Sequence, residues 1–282
     1  HFAWNFEYFP TLSGNYFIHL YGDFMITKAL KNFNIRQIAD SGQCFRMVPC
    51  DPNRSQTAYR VISGRHFLII EQHGDEVTFH CPNDEFAFWE HYFDLETDYD
   101  AYIRAIDPMD DYLSKAAAFG NGIRILNQDL WEMIVTFLIS QQNNIKRIRK
   151  CIETICRKYG ERKNSSAGVE YYAFPTVEAL SQATEENLRD CGLGYRAKYI
   201  AVTARTIASG EISLEKIYDM RYHQAKKELM KLCGVGEKVA ECICLFALHH
   251  MDAFPIDTHI RQVMDVHYKR GFPNRRYKGM RG

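Results

Sequence analysis

The chain lacks any apolar run near the roughly eighteen residues that a membrane-spanning helix needs, so no span is expected. Its N-terminal stretch has no basic region followed by an apolar run, which argues against a secretory signal. Internal repeats and low-complexity tracts are also missing. There is no cysteine framework: nine cysteines fall at irregular spacing, an odd number that fits the reduced thiols of a cytosolic protein. Cys242 and Cys244, with Cys233 and His249 nearby, could suggest a metal. However, side chains at i and i+2 of a helix diverge, so one ion could hardly take both, and zinc is not expected. Net charge is absent too, with 35 basic and 35 acidic residues.

What is present is a chain of 282 residues, 46% hydrophobic and 13% aromatic, long enough for one large domain or two ordinary ones. The charge is unevenly placed. Residues 84 to 111 hold ten acids and one base, Arg104, leaving 34 bases against 25 acids elsewhere. Basic clusters lie at 146 to 150 and 269 to 281. Such segregation can hold a polyanion on one face, though ordinary solvated helix faces explain the charge equally well.

The sequence begins with His1 and the first methionine is Met25; residues 1–24 are aromatic-rich without a period and are read either as an extension preceding the true start or as a genuine extra segment. From Met25 to about residue 82, "CFRMVP", "AYRVISG", "HFLIIEQ" and "EVTFHCP" carry β-branched and aromatic residues and read as strands. Gly74 in "EQHGDE" suits a hairpin turn. Beyond residue 84 the pattern is helical. "DLWEMIVTFLIS" is apolar on most sides, as a buried central helix would be. "TVEALSQA" and "TEENLRDCG" each open on a threonine suited to N-capping. The expected architecture is α+β, with a small antiparallel β-sheet domain with helices at residues 25–110 followed by a helical domain at 111–282.

The stretch "LCGVGEKVAECICLFALHHMDAFPIDTHI" carries the chemistry. Gly234 and Gly236 permit a tight turn that presents amide N–H groups at a helix start, a ready site for phosphate that reads no sequence. Lys238 follows at once. A lysine beside apolar residues and a helix N-terminus has its charged form disfavoured and becomes a better nucleophile. Asp257, after "FP" and before "THI", can cap the next helix and hold an anionic charge close by. An attacking amine with a carboxylate that steadies positive charge suits cleavage of an N-glycosidic bond. Taken singly, a surface lysine and a plain N-cap are the simpler readings.

This stretch resembles the helix-hairpin-helix, loop and aspartate signature of the HhH-GPD superfamily of DNA glycosylases, and is most similar to its 8-oxoguanine branch of bacterial type. The resemblance extends over "SGQCFR", "GIRILNQDLWEMIVTFLISQQNNIKRI" and "CGLGYRAKYI", from about Met25 to the end. It implies a TBP-like sheet domain, Lys238 as Schiff-base nucleophile and Asp257 as the essential acid. It places Gln142 in the gap left by an extruded base, with Arg147 and Arg196 around the estranged partner and Tyr195 wedged beside it. It also gives the Gly42 carbonyl the hydrogen on N7 that oxidised guanine has and guanine lacks. Cys242, four residues after Lys238 on the same face, could pair with it and lie against the base; Phe246, one turn on, would wall the pocket. His259 is expected at a backbone phosphate. The hairpin, Gly234 and Gly236 included, is expected to grip DNA and can hold a monovalent cation on its carbonyls.

Two departures matter. Relatives of endonuclease III carry four C-terminal cysteines for an iron–sulfur cluster; no cysteine follows Cys244, so none is expected here. The chain also stops at "YKGMRG", where family members continue with a helix that holds the flipped base, which suggests a C-terminally truncated, fragmentary sequence. The resulting expectation is a monomeric, cytoplasmic, nucleoid-associated enzyme. It would excise 8-oxoguanine opposite cytosine from double-stranded DNA and cleave the resulting abasic site, without a required cofactor. The alternatives are a helix-hairpin-helix glycosylase for alkylated bases, which would not need Lys238, and an inactive DNA-binding module.

Overall fold

A computed structural model describes residues 25–51, 57–166 and 168–269. The N-terminal extension and most of the last basic cluster lie outside these residues. The first half forms a five-stranded antiparallel sheet in the order β1-β5-β4-β3-β2, with β1 at Met25–Ala29, β2 at Met47–Pro49, β3 at Ala58–Ser63, β4 at His66–His73 and β5 at Glu76–His80. β4 and β5 close into a hairpin in which His73 pairs with Glu76 across Gly74, at φ 62°, where glycine is free of the Cβ penalty.

The continuous apolar run of β4 has a structural reason. Leu68 and Ile70 point into a core with Tyr59, Val61, Val77, Phe79, Trp89 and Phe93, while Phe67 and Ile69 pack on the opposite face with Ile62 and Tyr171. This part of the sheet is therefore covered on both sides, which removes the usual alternation of apolar and polar residues. A short helix, Ile35–Asp40, lies within the strand-rich stretch, capped by the Asn34 side chain accepting from Gln37 N–H.

The second half packs around the Leu130–Ser140 helix, buried at every position from Leu130 to Ile139. Asp129 caps it by accepting from Glu132 N–H at 2.7 Å. Truncating fully buried Ile134 or Leu138 to alanine would cost about 2–5 kcal/mol by lost transfer energy and cavity formation. The next helix, Ile145–Tyr159, buries one stripe, Ile148, Cys151, Ile152, Ile155 and Cys156, and turns Lys146, Arg147 and Lys150 to solvent. Thr176 and Thr184 both act as N-caps. The helical half also contains a two-stranded hairpin, β6 at Arg162–Asn164 and β7 at Glu170–Tyr172, so it is not wholly α. No helix among the described residues is long and apolar enough to cross a membrane.

Buried polar bonds lock the halves together. Arg46 Nε meets Glu153 at 2.9 Å and its Nη2 donates to Tyr172 O. Glu132, on the central helix, accepts from Gly64 N–H in the β3–β4 turn at 2.7 Å. Gln43 accepts from Leu126 N–H and donates to Arg124 O, both at 2.8 Å.

Candidate active site

The glycine hairpin sits between two helices, Tyr222–Leu229 and Glu237–Phe246. Gly234 adopts φ 83°, and a Cβ there would come within 2.5 Å of the Tyr199 ring. Both the backbone conformation and the close approach therefore demand glycine. Its carbonyl accepts from Gln141 Nε2 at 3.1 Å, and Cys233 O accepts from Thr203 Oγ1 at 3.3 Å, so the turn is seated on its neighbours. Gly236 is the extended N-cap of the hairpin helix and has no side chain to cap it; a Cβ there would meet only open space. The first-turn amides are left to whatever approaches that end, the arrangement that favours an anion.

Lys238 lies in that first turn and is exposed, not enclosed by apolar residues as its sequence context suggests. Its Nζ stands 5.5 Å from the centre of the Phe137 ring. One helical turn on, buried Cys242 lies on the same helix as Lys238. Burial pushes the Cys242 thiol up, while the adjacent lysine pulls it the other way and the Asp257 charge adds to the rise. Lys238 and Asp257 thus both act on the Cys242 sulfur. Asp257 caps the Thr258–His267 helix, its Oδ1 accepting from Ile260 N–H at 2.8 Å, which fixes the carboxylate.

Phe137 links these groups to the remaining pocket candidates. It stacks on Phe246 at 5.7 Å between centroids and meets Phe45 edge-on at 6.5 Å. Gly42, three residues before Phe45, adopts φ 80° and has open space where a Cβ would project. Gln128 ties the two walls, donating from its side chain to Gln43 O at 2.8 Å and from its backbone to Phe246 O at 2.9 Å. The fold therefore links the Gly42 turn, Phe246 and Lys238 through a framework of aromatic rings and one glutamine. Neither Phe137 nor Gln128 stood out in the sequence, where Phe137 read as core of the central helix and nothing marked Gln128.

The other candidates form a second group. Gln142 is exposed in the left-handed region, at φ 46°, which is unusual for a residue with a side chain. Arg196 is buried, 4% exposed, and its guanidinium binds the carbonyls of Gln141, Gln142 and Leu193. In this structure its donors thus brace the turn that presents Gln142. Tyr195 is half exposed, lies 4.5 Å from the Arg196 guanidinium and donates to Gln141 O. Arg147 is exposed and reaches Gly192 O at 3.2 Å. His259 lies exposed in the first turn after Asp257. Among the described residues no group of three or more His, Cys, Asp or Glu side chains is arranged to hold a metal ion.

Residues 25–134 match the family model described as 8-oxoguanine DNA glycosylase, N-terminal domain, and residues 135–273 match that of the HhH-GPD superfamily base excision DNA repair proteins. An N-glycosylase/DNA lyase of Saccharomyces cerevisiae is 40% identical over 159 residues, 52% of this chain and 42% of that protein. One from Arabidopsis thaliana is 32% identical over 234 residues, 79% of this chain and 63% of the relative. The chain therefore spans 42% and 63% of the length of these curated relatives. The apo structure of Clostridium acetobutylicum 8-oxoguanine glycosylase/lyase matches with a TM-score of 0.80 at 37% identity, covering 91% of this chain and 88% of that one. The same protein bound to double-stranded DNA with cytosine opposite 8-oxoguanine gives 0.80 at 36% identity, over 92% and 90%.

Proposed function

The chain belongs to the 8-oxoguanine DNA glycosylase family of the HhH-GPD superfamily, and on that footing we propose that it excises 8-oxoguanine from double-stranded DNA and then cleaves the strand at the abasic site. One observation carries this reading. Lys238 opens the helix beside the glycine hairpin with its Nζ 5.5 Å from the centre of the Phe137 ring, and the charges of Lys238 and Asp257 both bear on the buried Cys242 thiol.

The hairpin amides take a backbone phosphate, which lays the duplex across the exposed Lys238 and removes it from water. The damaged nucleotide is turned out of the stack. Gln142 fills the space it leaves, while Arg147, Arg196 and Tyr195 attend the opposite cytosine and His259 meets a phosphate. The base lies between Cys242 and Phe246, and the Gly42 carbonyl accepts the N7 hydrogen. The Lys238 amine attacks C1′ as the glycosidic bond breaks, its electron pair leaving with the base, which takes up a proton. Asp257 faces the positive charge that develops on the sugar, a contact stronger in the transition state than before it. Ring opening gives an imine between Nζ and C1′. Loss of a C2′ proton then expels the 3′ phosphate, and water releases the lysine.

A monovalent cation would be held by the hairpin carbonyls. Those of Leu232, Cys233 and Gly234 each accept one hydrogen bond and keep a second lone pair, so the turn admits a cation, and no step runs through it. The test is a set of duplexes carrying 8-oxoguanine opposite C, A, G and T. Base release and strand scission fastest opposite C are expected; intact 8-oxoguanine duplexes, with release from alkylated purines instead, would overturn the assignment.

A further inference from the structure

We infer that Glu241 is a positioning residue: on the helix that presents Lys238, its carboxylate clamps the returning loop that presents Asp257, and so sets how Asp257 meets the charge developing on the sugar. The inference rests on the excision chemistry proposed above.

Glu241 lies three residues after Lys238 and is 6% exposed, an unusual place for a carboxylate without a task. Its two oxygens face different segments. Oε1 accepts from Tyr222 Oη at 2.6 Å and from Lys226 Nζ at 2.6 Å, both on the helix before the hairpin. Oε2 accepts from Phe254 N–H at 3.0 Å, on the loop that returns to Asp257. Burial raises the pKa of this carboxyl, but hydrogen bonds from Lys226, Tyr222 and Phe254 N–H more than offset it and hold the group below its ordinary value. The side chain is therefore an anion seated by three donors.

The link from Phe254 to Asp257 is short and stiff. Pro255 follows Phe254 directly and has a fixed φ, so the placement of the Phe254 amide carries forward along the chain. At the far end, Asp257 is held by Ile260 N–H. The loop's other backbone bonds, His250 N–H to Cys244 O and Ala253 N–H to His250 O, lie on its earlier part. Glu241 supplies the side-chain bond nearest Asp257 on its N-terminal side. A displacement of about 1 Å at a reacting group can cost about a hundredfold in rate, so a clamp at this distance acts on chemistry as well as on folding.

The test is a double-mutant cycle on the single-turnover rate of 8-oxoguanine release, using Glu241→Ala and Asp257→Asn in the full chain. With Asp257 present, Glu241→Ala should slow release about ten- to a hundredfold. In the Asp257→Asn background the same change should cost less than about twofold, because the group being positioned no longer carries its charge. Equal losses in both backgrounds would reduce Glu241 to a structural residue, and an unchanged rate in the single variant would do the same. Should Glu241→Ala fail to fold, Glu241→Gln serves instead, since its single oxygen cannot accept from both Phe254 and the Tyr222–Lys226 pair. A wild-type chain that releases no base would overturn the function reading and this inference together. An active wild type with an additive cycle would overturn this inference alone.

Discussion

Replacing Glu132 with glutamine should change how stability depends on pH more than it changes stability itself. Glu132 is enclosed between the central helix and the sheet, where burial pushes its carboxyl from 4.5 to about 7 against the opposing pull of Arg46 and of Gly64 N–H. The folded state therefore keeps a proton that the unfolded chain releases above about pH 4.5. The resulting contribution is fully present below that pH, and it is lost as pH rises through about 7. At about 1.4 kcal/mol per unit, the loss across that window is about 3 kcal/mol. Glutamine has no proton to lose, and its oxygen can still accept from Gly64 N–H. Denaturant unfolding of both proteins from about pH 4.5 to 8 should show the wild type losing about 3 kcal/mol relative to the variant. Parallel curves would refute the reasoning and mean that Glu132 is ionised throughout, paired with Arg46.

Gly234→Ala should lower stability by about 1–3 kcal/mol and weaken DNA binding, because a Cβ would meet the Tyr199 ring at 2.5 Å in a left-handed backbone; wild-type unfolding and affinity would refute this. Asp257→Asn should keep the fold, since the amide oxygen can still accept from Ile260 N–H, yet slow base release sharply; an undiminished rate would remove its electrostatic role. Arg147→Ala should flatten the preference for cytosine opposite the lesion by about 1–3 kcal/mol with little effect on stability, and an unchanged ranking of opposite bases would assign it to phosphate contacts. Arg196→Ala should add a stability loss of about 1–3 kcal/mol, because it removes the Arg196 donors from the Gln141 and Gln142 carbonyls and leaves Gln141 O only the longer bond from Tyr195; unchanged unfolding would contradict that brace.

The long periodic segments were legible in the sequence because one physical rule dominates each. Gly74 turns a hairpin, Thr176 and Thr184 cap helices, and the uniformly apolar Leu130–Ser140 helix is buried all round. Short elements were not. The Ile35–Asp40 helix spans six residues amid β-branched neighbours, although Asn34 and Gln37 marked its start. Strands β6 and β7 have three residues each, too few for a period to register. At the candidate site, the glycine spacing marked the hairpin, which the structure forms, while Lys238 and Asp257 were singled out by their local context and the family resemblance. What these signals could not expose was the environment of each charge. Arg196 and Glu241 look like surface residues in sequence, and only tertiary packing buries them against backbone carbonyls and a loop amide. Phe137 reads as ordinary core, because the lysine above its ring comes from another helix a hundred residues away in sequence.

The central claim, that Lys238 is the nucleophile, is tested most directly by borohydride reduction during turnover of duplex DNA carrying 8-oxoguanine opposite cytosine. Reduction converts a lysine imine into a stable amine, so wild-type chain should be trapped on the DNA, with peptide mass spectrometry placing the adduct on Lys238. Lys238→Gln should bind the same duplex with similar affinity and give no trapped complex. A complex of undiminished yield in that variant, or an adduct mapped to another amine, would contradict the account.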